Sequence, residues 1–423
     1  MKPAVLALCG AVISVCVLFW ARSGDQTGRI AGHLAFFAVA FAAYVLALWS
    51  SRDLSRPGLV LALAVAVLWR VALVAAPPLL SNDVNRSVWE GRVQVHGGNP
   101  YAWPDRPDAP KWSGLRDDVW RGLNHPDYPA IYPPAWQLAV FGVASLSDSI
   151  TAVKAFVALS ELASLVPLGL MLRRRGLPLA RLLVLAWSPL ALVETAGSGH
   201  NEAFGALFVV LALAALDAGR PLVSALAAAV GMQAKFLPGL IAAAWARRYR
   251  PWQVGVAALM AAALVWPYRS AGRILWLSLS KYSEFWRFNE TAFALVARLM
   301  GSHAAAVRVG SATVLALALL LAWRRTEPVA AALGVVAATL LLSPNVLPWY
   351  ALWFVPLLVL RDEPAALLYT GTASLAYLVY PAWQSGERWW IGWDVRALEY
   401  LPCLLVLWRS RSRLASPQGL QAP

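Results

Sequence analysis

The chain has 423 residues, 60% of them hydrophobic and 14% charged. Soluble globular chains carry roughly a quarter of their residues charged, so the composition excludes that class and indicates a polytopic membrane protein. The formal charge of +14 does not signal nucleic-acid binding, because the arginines gather in short loops between apolar runs, the pattern of cytoplasmic anchoring.

The first apolar run, 3–20, has the length of a signal-peptide core but lacks a small-residue cleavage site after it, and it reads as a helix. Runs 31–50 and 57–79 follow, each long enough to span a bilayer. Residues 80–134 then form the one long polar segment of the chain. If 82–92 is helical, Asp83, Arg86 and Glu90 stand at i, i+3 and i+7 on one face. A carboxylate at the bilayer edge beside Arg86 and Arg92 suits removal of a proton from a hydroxyl while the arginines hold an anion. The same spacing equally describes a solvated amphipathic helix with internal ion pairs. The turn GGNPY contains Asn99 and Tyr101, and reads as turn chemistry or as a substrate contact. NHPDYP and IYPP, with His125, Tyr128 and Tyr132, form a proline-pinned return to the membrane. Their aromatic side chains suit stacking on a sugar or anchoring at the interface.

Segment 135–149 is expected to be a re-entrant or half helix, and 151–172 a full span. The apolar runs 182–196, 202–217, 221–233, 236–246 and 350–361 are short for a bilayer, so their polar junctions are expected inside protein or in a wet cavity. One junction is GSGHNE, with His200, Asn201 and Glu202. Ionisable groups at membrane depth are costly and mark function or a pairing partner. His200 is suited to donate to a phosphate or sugar hydroxyl, or to be a satisfied histidine at a helix end. Glu161 and Glu194 also lie at membrane depth, with Lys235 either their counter-charge or a point charge for a lipid phosphate.

Runs 252–267, 304–323, 328–343, 364–380 and 395–408 complete the spans, and SPNVLPWY, with Trp349 and Tyr350, breaks two of them with prolines. The fold expected is an all-α transmembrane bundle of about fourteen crossings, some short or re-entrant. Starting from an inside N-terminus, polar segments 80–134, 268–290, 344–349 and 381–394 fall on the outer side and the arginine loops on the inner. Residues 1–409 form one integral-membrane domain, and 410–423 a basic, then Pro/Gly/Gln-rich, cytoplasmic tail expected to be disordered. Nothing repeats at a fixed period, and P-loop, HExxH and GxSxG motifs are missing. Cys9, Cys16 and Cys403 each lie within an apolar run, without metal-site or disulfide spacing.

In chain order, DVNRSVWEGRVQVHGGNPY (83–101), NHPDYPAIYPP, GSGHNE, KFLPGL and PNVLPWY resemble the bacterial polyprenyl-phosphate-mannose-dependent mannosyltransferases, of the C-type superfamily of integral-membrane glycosyltransferases. The likeness covers residues 57–360, and its first-loop motif is the most specific part. It implies inverting transfer of a hexose, mannose foremost, from a polyprenyl phosphate to a hydroxyl of a glycolipid or glycan. The reaction would take place on the extracytoplasmic face of the bacterial inner membrane. Asp83 would be the catalytic base, Arg86, Glu90 and Arg92 would complete the motif, and His200 would lie near the donor phosphate. Asn99, Tyr101, His125, Tyr128, Tyr132, Asn201, Glu202, Lys235, Trp349 and Tyr350 are the other expected substrate contacts. The chain departs from the family pattern at Asn85 and Ser87, where tyrosines are common, and these positions bear on which sugar is moved. Lipid phosphate is a good leaving group and inversion needs one base, so no metal or other cofactor is expected. The expected partners are the lipid-linked donor, the glycan acceptor and membrane lipids. A flippase or transporter of a lipid-linked sugar, a non-catalytic assembly subunit, and a transferase of another lipid-linked sugar stay open as alternatives.

Overall fold

The computed structural model describes residues 2–415, with side chains through Ser410. Among them the regular elements are helices, and one isolated bridge joins Phe288 to Asn345. Helices α1 (Lys2–Ser23), α2 (Ile30–Ser50) and α3 (Arg56–Ala75) pack together at the N-terminal end. Helix α1 buries Leu6, Cys9, Ile13 and Cys16, while Leu8, Val15 and Leu18 stay exposed. A helix apolar all round is at home in lipid, where its outward leucines have an apolar solvent.

Among the described residues six helical stretches are long and apolar enough to cross a membrane, and seven if the pair Leu179–Ala186 and Pro189–Gly197, bent by 45°, counts as one. Pro134–Leu146, Pro221–Met232, Pro328–Leu341 and Pro348–Leu360 are apolar but only 10–17 residues long. Each of these four starts at a proline, whose missing N–H and ring suit the first helical turn and disfavour continuation upstream. Pro221–Met232 reaches only about 18 Å, short of the roughly 30 Å hydrocarbon layer. About fourteen crossings are expected from the sequence; among the described residues six or seven stretches have the length and composition for one, and several of the other apolar runs are short helices.

Segment 135–149 is the short helix Pro134–Leu146. It lies against α4 (Asp83–Val95), and the contact is closest at Gly91, where a Cβ would come within 2.5 Å of the Val140 carbonyl. The last helix, Trp393–Ala415, runs past the expected start of the tail at 410. Residues 416–423 lie outside the described residues. Inside the bundle, Arg70 pairs with Glu161, which also accepts from the Thr195 hydroxyl, and Arg70 donates to the Ala66 and Ala186 carbonyls at 2.9 Å. Thus Glu161 takes its counter-charge from α3 and not from Lys235. Removing one partner of such a buried pair costs about 3–5 kcal/mol.

Candidate active site

Helix α4 is not a solvated amphipathic helix. Val84 and Val88, one turn apart, pack with Trp136, Val140, Val153 and Val157 beneath it. On its other side Trp89 and Val93 meet Ala109 and Trp112 of the loop. Most of its thirteen residues are buried, including Glu90 and Arg92. Asp83 is the first residue of the helix and half-buried. There the partial positive charge of the helix N-terminus favours an anion. The Asn124 side-chain amide donates to its Oδ1 at 3.1 Å. Among the described residues Asp83 has no ion pair, and its second oxygen has no hydrogen-bond partner.

The two arginines expected to hold an anion are committed to the protein instead. Arg86 donates from Nε to Glu90 at 2.8 Å, from Nη1 to the carbonyls of Asn124 (3.2 Å) and His125 (2.9 Å), and from Nη2 to those of Tyr128 (2.5 Å) and Pro129 (2.6 Å). A guanidinium has five N–H donors, and all five are used. Arg86 therefore fastens segment 124–129 to α4 and brings Asn124 to Asp83. Glu90 is held by Arg86 and by Gln137 (2.6 Å). Arg92 lies at the far end of the helix, bound to Asp148 (2.6 Å), Asp117 (3.0 Å) and the Leu115 carbonyl (3.0 Å). Burial works against the Asp117 carboxylate, but Arg92 and the N–H groups of the turn it caps hold it below its ordinary range.

Asn99 and Tyr101 also serve the loop. The Asn99 amide donates to Ser270 (2.9 Å) and the Tyr268 carbonyl (3.3 Å), and the Tyr101 hydroxyl donates to the Tyr132 carbonyl (2.5 Å). Of the family departures, Asn85 donates to the Gly122 carbonyl at 3.2 Å and Ser87 is buried. His125 and Tyr128 lend their carbonyls to Arg86, and the exposed His125 ring stands edge-on to Trp286, 4.9 Å away. Arg86→Lys keeps the charge but loses the fork that reaches five acceptors. Segment 103–128 is expected to loosen from α4 in this variant, with faster proteolysis there as the check.

His200 follows a π-turn over Leu192–Gly197, a geometry frequent at functional sites. The wide turn closes through Gly199 N–H to Thr195 (2.8 Å) and His200 N–H to Glu194 (2.9 Å). Gly199 has φ +80°, and a Cβ there would meet the Val84 side chain at 2.9 Å and Lys154 at 3.2 Å. Glycine is thus what lets the start of α4 sit directly on this turn. Gly199→Ala is expected to cost about 1–3 kcal/mol of stability. A thermal melting curve beside that of the wild type checks it.

The His200 ring stacks on Trp349, with centroids 3.9 Å apart. Its Nδ1 approaches Glu194 to 3.0 Å, off hydrogen-bonding direction, and Tyr377 donates to both Glu194 oxygens at 2.9 and 3.0 Å. Glu194 therefore answers to His200 and Tyr377, not to Lys235. Among the described residues five buried polar atoms on this turn have no hydrogen-bond partner: Ser198 Oγ, His200 Nδ1 and Nε2, Asn201 Nδ2 and Glu202 Oε2. Each such group costs about 1–3 kcal/mol when left unmet, and a cluster of them calls for a functional reason.

Lys235 is the cation of this cluster. It pairs with the fully buried Glu202, reaches Asn201 Oδ1 at 3.3 Å, and faces the rings of Tyr132 (5.3 Å) and Tyr350 (5.1 Å). Tyr350 meets Tyr282 hydroxyl to hydroxyl at 3.0 Å, and Asn345 donates to Tyr282. Asp83 and Glu202 both lie within electrostatic reach of Tyr132 and Tyr282. Burial and these carboxylates raise the Tyr132 phenol well above its ordinary range, so it acts as a neutral hydroxyl. Asp83, Tyr132, His200, Asn201, Glu202, Lys235, Trp349 and Tyr350 are thus gathered around one site, with Asn124, Tyr282, Asn345 and Tyr377 added by the structure. No group of three His, Cys, Asp or Glu side chains among the described residues could hold a metal ion.

The opposite helix ends carry arginines. A cavity of about 530 Å³ there is lined by Arg175, Asp217, Arg248, Glu327 and Arg361 among others, and lies apart from Asp83. A family model described as alpha-(1->6)-mannopyranosyltransferase, N-terminal domain, matches residues 6–251. No curated protein and no solved structure matches the chain.

Proposed function

We propose that this chain, which belongs to the alpha-(1->6)-mannopyranosyltransferase family, moves mannose from a polyprenyl phosphate to a glycan or glycolipid hydroxyl. The observation that carries this is a carboxylate, Asp83, that has no counter-ion among the described residues and shares one site with Lys235 and with the donors of Ser198, His200 and Asn201, which have no hydrogen-bond partner among those residues. A base for a hydroxyl on one side and a set of donors for an anion on the other are the two halves of glycosyl transfer from a phosphate.

Asp83 accepts the proton of the acceptor hydroxyl as its oxygen bonds to the anomeric carbon. The anomeric C–O bond to phosphate breaks, and the departing phosphate gathers negative charge where Lys235, with His200 and Asn201, stabilises it. The other carboxylates of the site are engaged, Glu202 by Lys235 and Glu194 by His200 and Tyr377. That leaves one carboxylate for one role, which favours a single displacement with inversion. An α product, as in the family's description, then requires a β-linked donor.

The distribution of charge supports a reading of the side of the membrane. The helix Glu202–Asp217 starts beside His200 and ends at Asp217, bound to Arg175 at 3.0 Å. Pro328–Leu341 starts beside Glu327 at the arginine end and stops short of Asn345. Basic ends favour the cytoplasm, so the Asp83 end is read as extracytoplasmic. The test is incubation of the purified protein with labelled β-mannosyl phosphopolyprenol and an α-mannan glycolipid. An α-linked mannosyl product is expected. Product from a nucleotide-linked mannose alone, and none from the lipid donor, would overturn the proposal.

A further inference from the structure

Beyond the site itself, residues 380–396 carry an aromatic surface that the reaction as described leaves unused. Tyr380 begins it: its hydroxyl donates to the Leu80 carbonyl at the root of the catalytic loop, and its ring is within electrostatic reach of Asp83. Trp389 stands edge-on to Tyr380 (5.3 Å), and Trp383 edge-on to Trp389 (5.6 Å). Trp390 and Trp393 flank the buried Arg396, whose guanidinium carbon lies 4.2 and 4.7 Å from their ring centres. Arg396 is 2% exposed and is fixed by the Glu290 carbonyl at 2.7 Å. Yet the indoles it supports are open, with Trp383 52%, Trp390 44% and Trp393 60% exposed.

Resting on the reading of Asp83 as the transfer centre, we propose that Trp383, Trp390 and Trp393 form the subsite for the acceptor glycan's sugars beyond the one that reacts. The occupant is a neutral, elongated oligosaccharide. A pyranose presents an apolar C–H face, weakly positive, which stacks on the negative face of an indole. Its hydroxyls need polar neighbours, and Gln384, Ser385, Glu387, Arg388 and Asp394 are exposed on the same segment. The surface is continuous with the catalytic loop through Tyr380, so a glycan with its terminal hydroxyl at Asp83 has this segment as its adjoining wall. A buried cation beneath two exposed rings fixes their orientation before binding, which lowers the ordering cost of capture. An interfacial tryptophan belt needs no such support, and the lipid-facing leucines of the final helix begin beyond Arg396, at Leu398 and Leu401.

The test measures binding of α-(1->6)-linked mannotetraose to the full-length protein in nanodiscs by calorimetry, for wild type, Asp83→Asn, Trp390→Ala, Trp393→Ala and Trp390→Phe. Expected is about tenfold weaker binding for each alanine variant, near-wild-type binding for Trp390→Phe and Asp83→Asn, and, for the tryptophan variants only, an unchanged transfer rate to a single-mannose alkyl glycoside. Wild-type protein that does not bind the tetraose overturns the subsite. So does unchanged affinity in the alanine variants, including the case where they alter only retention in lipid, which would mark a membrane anchor. Full transfer by Asp83→Asn would instead overturn the catalytic reading, and the tetraose affinities would still decide the subsite.

Discussion

Asp83→Asn is expected to lower transfer by roughly 10²- to 10⁴-fold, the range attributable to a positioned general base, with little change in fold. The substitution keeps size and shape, and the acceptor oxygen for the Asn124 amide, 3.1 Å away in the native protein, is retained. It breaks no ion pair, since Asp83 has none among the described residues, so the usual penalty for stranding a buried counter-charge does not arise. What disappears is the oxygen without a partner, the group proposed to take the proton. Donor affinity should be close to wild type, because the cation and buried donors lie on Lys235, His200 and Asn201. Asp83→Glu should keep a small part of the rate, its extra methylene moving the base off the hydroxyl. The measurement is turnover with saturating lipid donor beside donor affinity from direct binding. Loss of donor binding in step with turnover would show that Asp83 holds substrate rather than activating it.

The position of Asp83 at a helix start was legible because α4 obeys local rules: a polar run opens after Pro77-Pro78, and hydrophobic residues return at helical spacing. The role of Arg86 was not legible. Its four carbonyl partners lie about forty positions downstream (38 to 43 residues), and a backbone carbonyl leaves no signature in sequence. The arginine therefore looked like an anion clamp until its five donors could be counted. The tyrosines tell the same story in reverse. Tyr132 and Tyr350 sit in proline-rich motifs and were visible, whereas Tyr377 lies in an apolar run and is placed against Glu194 only by packing. Helix count was the least readable property. Prolines at 134, 221, 328 and 348 mark where helices begin, but hydropathy cannot say whether the short helix that follows crosses the membrane or stops within the bundle.

Lys235 supplies the second large effect, and its test must separate catalysis from stability. Lys235→Met keeps the length of the side chain but removes its charge, and loss of a group that stabilises a leaving phosphate typically costs 10²- to 10³-fold in rate. The same change strands Glu202, fully buried and paired with Lys235, which would destabilise the protein by about 3–5 kcal/mol. A fall in activity from the single variant is therefore ambiguous. Lys235→Met combined with Glu202→Gln removes both charges, and stability should return most of the way because no buried ion is left alone. Transfer should not return, since the phosphate still lacks its cation, and the Michaelis constant for the lipid donor should rise along with the fall in rate. Glu202→Gln alone frees Lys235 from its partner and is expected to keep substantial activity. Recovery of transfer together with stability in the double variant would show that Lys235 acts only as the counter-ion of Glu202. The phosphate role would then pass to the other candidate donors of the turn, His200 foremost, whose Nε2 has no hydrogen-bond partner among the described residues.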